Sequence, residues 1–151
     1  MPLIENEAYL ACSCDSLFRA ADLAELIERG RAHPSCAVLG VLEMSAADIR
    51  PRSGVRLDGE RVVEIVEKPA PGTGAYGLVG APLYWLPRAC DSAVRAEQGR
   101  EGGESYVSTA LNRFIGRGET VLALKLADRI EITMAADVAR AEAALRTWQV
   151  R

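Results

Sequence analysis

"GVRLDGERVVEIVEKPAPG", Gly54 to Gly72, is the stretch on which the fold turns. Two strand-like runs flank Asp58-Gly59, a strong tight-turn signal, so the segment predicts a β-hairpin. The second run is apolar, leaves on Glu67 and Lys68, and stops at Pro69, which has no N–H to extend a ladder. An acid and a base side by side at the exit of a buried strand need a reason. Successive strand residues face opposite sides, so the two need not pair with each other. Past the sheet edge both can turn toward one ligand. Lysine is a flexible point charge suited to phosphate, and a carboxylate accepts hydrogen bonds from hydroxyls. Taken alone, the pair also fits a solvated strand end.

Outward from the hairpin, strands alternate with helices. "AYLACSC", 8–14, reads as a buried strand that ends at Asp15 and Ser16. "ADLAELIERGRA", from 21, has Leu23, Leu26 and Ile27 at helical spacing, acids early and arginines late. "CAVLGVLEM", 36–44, is a second apolar strand, and "SAADIRPRS" a loop. Beyond the hairpin, "PAPGTGAYG", 69–77, is a loop and "LVGAPLYWL", 78–86, a strand in which Pro82 marks an edge or a bulge. Helices are predicted at 87–97 and 106–117, strands at 120–127 and 129–133, and a closing helix at 135–148. The pattern predicts one α/β domain over 1–151, a sandwich with a largely parallel central sheet and the hairpin as an antiparallel insert. In such sheets ligands sit beyond the carboxyl ends of strands, where Asp15, Glu67, Lys68 and Glu131 fall.

Composition removes several function classes. Eighteen basic and 21 acidic residues give a net charge of -3, without the basic excess of a nucleic-acid binder. No apolar run nears the roughly 20 residues that cross a bilayer. "MPLIENEAYL" lacks a basic leader and apolar h-region, which predicts a cytoplasmic protein. The four cysteines match no common zinc spacing. Cys12 and Cys14 are expected on one strand face as small buried hydrophobes. His33, the single histidine, is expected to be a solvated loop residue, which argues against a histidine triad or a multi-histidine metal site.

Asp15 could hold Mg²⁺, a hard cation that takes oxygen ligands, or could cap the following turn. Glu131, in "RIEITMAAD", could supply a second carboxylate or face solvent from its strand. Asp137 is explained by the first turn of the last helix, where the dipole favours an acid. "GTGAYG", 72–77, fits a dinucleotide fingerprint by letter, but a strand follows it where a helix should, so it reads as a loop.

These pieces stand in one order: strand, Asp15-"SLF", helix, strand, "SGVRLDGERVVEIVEKP", "GAPLYWLP", "SYVSTALNRFIGRG" and "RIEITMAADVARAE". That order resembles the sugar-phosphate nucleotidyltransferases, the glucose-1-phosphate thymidylyl- and uridylyltransferases and mannose-1-phosphate guanylyltransferase, from about Tyr9 to Glu142. "VEKP" after a D-G hairpin is its most specific element. The resemblance implies a Rossmann-like three-layer α/β/α fold. It implies transfer of a nucleotidyl group from a nucleoside triphosphate to a sugar 1-phosphate, with Mg²⁺ as cofactor and pyrophosphate as product. Asp15 matches the first metal aspartate of that family and Glu131 the second. Glu67 matches the acid on the sugar hydroxyls, Lys68 the lysine on the phosphate, and Gly54 a glycine whose backbone approaches the sugar.

Several positions depart from the pattern. The G-x-G-T-R loop that cradles the triphosphate in that family is not in this sequence. Cys14 stands where a glycine is usual, Glu131 replaces an aspartate, and Thr133-Met134-Ala135 replaces G-T-P. Weak or no turnover is therefore expected of residues 1–151 alone. The alternative is a non-catalytic sugar-phosphate-binding or assembly module, with the open edge of the first strand pairing with a second copy or a missing N-terminal segment.

Overall fold

The Asp58-Gly59 signal does produce a hairpin. In a computed structural model of the chain, which describes residues 7–45, 52–70, 77–97 and 106–148, β4 (Ser53–Asp58) pairs antiparallel with β5 (Arg61–Glu67). Asp58 faces Arg61, so Gly59 and Glu60 form the two-residue loop, and Gly59 takes a left-handed φ of 59°. A glycine at the first central position suits the right-handed twist of the flanking strands. The register slips between Arg56 and Leu57, leaving Val63 as an extra, exposed residue in β5.

The preceding elements are β1 (Ala8–Cys12), β2 (Ser16–Phe18), α1 (Ala20–Ala32) and β3 (Ala37–Glu43). After the hairpin come β6 (Leu78–Pro87), a 3-10 turn (Arg88–Cys90) and α2 (Asp91–Glu97). The chain closes with α3 (Val107–Gly116), β7 (Val121–Lys125), β8 (Arg129–Glu131) and α4 (Ala135–Trp148). Strand order is β1-β6-β3-β7-β5-β4, and β4 also pairs with β6. Five strands thus curl into a ring, with β1 outside it as the edge.

The sheet is mixed and predominantly antiparallel, which corrects the largely parallel sheet expected from the alternation of elements. Among the described residues only β3 and β7 pair in parallel. The reason is the placement of β6. The crossover β1–α1–β3 does join two strands that run the same way. β6 lies between them, antiparallel to both. Pro82 marks a bulge and not an edge: Leu39 faces Tyr84 while Val41 faces Gly80, so β6 carries extra residues around the proline.

Strands apolar on both faces are explained by cores on both faces. Leu39 and Val41 of β3 pack with Val55, Ile65, and Leu111 and Phe114 of α3. Val38, next to Leu39 and on the opposite face, packs with Leu26 of α1 and Leu83, Leu122 and Leu124. Cys90 is buried, but Cys12 and Cys14 are exposed, contrary to expectation. β1 ends at Cys12, at the border of the sheet, so neither thiol gains a covering layer. His33 is exposed beyond the end of α1, as expected. No helix among the described residues is long and apolar enough to cross a membrane.

Gly30 fixes how closely α1 lies on the sheet. A Cβ there would stand 2.3 Å from Cγ of Trp85. Alanine would contribute up to about 1 kcal/mol of helix propensity, yet forcing an indole ring aside costs about 1–3 kcal/mol. Gly30→Ala should therefore lower stability by about 1–2 kcal/mol, read as a lower urea midpoint at unchanged slope.

Candidate functional site

The end of β5 is built by backbone strain and by α3. Lys68 continues the hairpin ladder one residue past the strand, its N–H donating to the Arg52 carbonyl at 2.9 Å. It does so with φ of 47°, a left-handed conformation uncommon for a residue with a side chain. Buried Pro69 follows. Lys68 Nζ donates to the hydroxyl of Tyr106 at 3.0 Å.

Glu67 is oriented from two sides. Its Oε1 accepts from Ser53 Oγ at 2.7 Å and from Ser108 Oγ in the first turn of α3. One turn further, Asn112 makes both amide bonds to Ile65: the Ile65 N–H donates to Oδ1 at 3.0 Å, and Nδ2 donates to the Ile65 carbonyl at 2.6 Å. β5 registers with β7 only at Arg61, so the Asn112 amide serves the strand as a neighbour would. Ser108 and Asn112 are four apart and share a helix face. Two polar residues on the apolar stripe of Ala110, Leu111 and Phe114 were the available signal.

Glu67 and Lys68 open on a cleft of about 220 Å³ shared with Gly80, Tyr84, Arg129 and Glu131. Burial, and next the charge of Glu67, pushes the Tyr84 phenol up to about 12, so it stays a hydrogen-bond donor. Gly54 lies one residue behind the cleft, buried in the ladder between Val66 and Val79, while Ser53 beside it lines the cleft.

Asp15 and Glu131 are brought into one neighbourhood by the β2–β8 ribbon. Ser16 faces Glu131, and the Ile132 N–H donates to the Asp15 carbonyl at 2.8 Å. β2 was not read from the sequence, because three residues are too few to show a period. Asp15 is exposed, and hydroxyl bonds, chiefly from Ser13, hold its carboxyl below the usual carboxylate range. Between the two acids lies Arg129, its side chain 8% exposed. Arg129 Nε donates to Ser16 Oγ at 3.0 Å, and Ser16 Oγ donates to Asp15 Oδ1 at 3.1 Å. Glu131 Oε1 is 3.1 Å from Arg129 and Oε2 is 2.8 Å from Arg52.

A Mg²⁺ ion shared by Asp15 and Glu131 does not fit these residues as they stand. Both oxygens of Glu131 are held by guanidinium groups, and a cation of the same sign sits between the acids. No group of three or more His, Cys, Asp or Glu that could hold a metal ion occurs among the described residues. Asp137 has the local role expected of it, its Oδ2 accepting from the N–H groups of Thr133 and Met134 at the start of α4. Residues 72 and 74 of the "GTGAYG" loop lie outside the described residues.

The fold, a mixed sheet flanked by helices, is similar to that of solved sugar-phosphate nucleotidyltransferases. An apo UDP-glucose pyrophosphorylase superposes with a TM-score of 0.82 at 16% identity, over 98% of this chain and 57% of its own. An inositol-1-phosphate CTP transferase from T. maritima does so at 0.71 and 18% identity, over 99% of this chain and 59% of its own. A UTP-bound UGPase from Acinetobacter baumannii matches at 0.69 and 19% identity, over 91% and 50%. The chain thus spans roughly half to three-fifths of these structures. No protein-family model matches the chain, and no curated protein matches it.

Proposed function

We propose that the chain is the sugar-phosphate-binding part of a nucleotidyltransferase that joins a nucleoside triphosphate and a sugar 1-phosphate into a nucleotide sugar and pyrophosphate. The observation that carries this reading is the end of β5. Glu67 and Lys68 leave one strand, are fixed by different partners, and line the same cleft. In this reading Glu67 accepts from sugar hydroxyls and Lys68 neutralises the phosphate. Gly54 lies in the β4–β6 ladder beside Ser53, which lines the wall. Tyr84 keeps its proton and donates into the cleft. The phosphate oxygen of the sugar attacks the α-phosphate in line, and the protein contributes position and charge. Asp15 stands behind Arg129 of the cleft, linked to it through the Ser16 hydroxyl.

Titration with glucose 1-phosphate, followed by amide chemical shifts, tests the proposal. Saturable shifts at Glu67, Lys68, Tyr106 and Ser108 are expected, and Glu67→Gln should weaken binding by about tenfold, or ~1.4 kcal/mol. Shifts confined to other surfaces, or none at all, would refute it.

A further inference from the structure

We propose that Arg129 is a built-in cation, occupying the place between Asp15 and Glu131 where a divalent ion was expected, and that with Arg52 it forms a phosphate subsite that works without metal. The geometry is a line of alternating charge. Asp15 leads through the Ser16 hydroxyl to Arg129, then to Glu131, then to Arg52. Each neighbouring pair is within 2.8–3.1 Å. A Mg²⁺ ion needs carboxylate oxygens and water at close, near-octahedral range. Here Glu131 offers it none that a guanidinium does not already hold.

The two arginines suit an anion. A guanidinium has five N–H donors in a planar fork. Arg52 uses one nitrogen on Glu131, and Arg129 uses two, on Glu131 and Ser16. The remaining donors belong to residues that line the cleft beside Lys68. Arg52 and Arg129 also line an adjoining hollow with Arg140. Together with Lys68 they bring four positive side chains to one connected wall, against Glu67, Glu131 and Asp137. Arg129 is mostly buried, so its charge is weakly screened and a phosphate near it gains more than it would at an open surface. Glu131 then acts as the counter-ion that keeps the pair folded and poised until phosphate shares it.

This inference shares the cleft with the sugar reading but not its ligand, since the probe is inorganic phosphate. If glucose 1-phosphate fails to bind while phosphate binds through the arginines, the sugar reading falls and this one stands. Calorimetric titration with phosphate should give the same dissociation constant, within about twofold, in EDTA and in excess magnesium chloride. Arg52→Gln and Arg129→Gln should each weaken phosphate by about tenfold or more, with Arg129→Lys recovering part of the loss. Arg129→Gln should also create a cation site, seen as Mn²⁺-induced broadening of the Asp15 and Glu131 amides that the natural chain lacks. Should Arg129→Gln fail to fold, Arg52→Gln, whose side chain is 30% exposed, and the EDTA comparison carry the test. Phosphate binding that requires magnesium, Mn²⁺ broadening at Asp15 in the natural chain, or arginine variants that bind phosphate normally would each overturn the proposal.

Discussion

Replacing Asn112 with alanine will destabilise the protein by about 2–4 kcal/mol, because it leaves both the N–H and the C=O of Ile65 without their partner. Each unsatisfied backbone group costs about 1–3 kcal/mol when water cannot reach it fully. Ile65 is itself buried, so water is a poor substitute here. Asn112→Asp sharpens the experiment. The carboxylate can still accept from the Ile65 N–H but can no longer donate to its carbonyl, so the aspartate variant should also be less stable than the natural chain. Urea unfolding of the three proteins decides it. Equal midpoints for the natural chain and Asn112→Ala would mean that β5 finds another partner. The same substitution should weaken ligand binding, since Ser108 and Asn112 lie on one helix face and together set the exit of the strand.

Lys68→Gly should separate stability from function. A side chain in the left-handed region costs about 1–2 kcal/mol relative to glycine, and glycine returns part of that gain through its freer unfolded chain. The variant should be as stable as the natural chain or more so by roughly 1 kcal/mol. Its affinity for glucose 1-phosphate should fall about 30-fold or more, or ~2 kcal/mol, with the loss of the ammonium. Lys68→Met supplies the contrast, keeping the strain and removing the charge. It should lose binding without gaining stability. If Lys68→Gly is instead clearly less stable, the contacts of the lysine, including its bond to Tyr106, outweigh the backbone strain.

What could be read in advance was what is local. The hairpin follows from one Asp-Gly between two strand-like runs. Glu67 and Lys68 stand out because charge at the end of an apolar strand is conspicuous. α1 and α4 follow from spacing and end-charges. Strand partners are another matter. Nothing in the period of "LVGAPLYWL" says that it inserts between β1 and β3 and runs against both, so the sheet was expected to be more parallel than it is. The arginines were passed over for a related reason. Arg52 and Arg129 look like ordinary solvated charges until residues 79 and 113 apart in the chain come together. Ser53 and Ser108 were equally silent, since a serine hydroxyl acquires meaning only from the carboxylate it meets.

The bulge at Pro82 ties the wall of the cleft to the segment that carries Asp15. Gly80, Pro82 and Tyr84 all border the cavity. The carbonyl of the same proline anchors the Ser13 N–H at 3.0 Å, two residues ahead of Asp15. The same strand therefore borders the cavity and holds the segment that leads to Asp15. The width on this side is set by β6 itself: a guest that is too wide must deform the middle of a central strand, not merely push aside a loop.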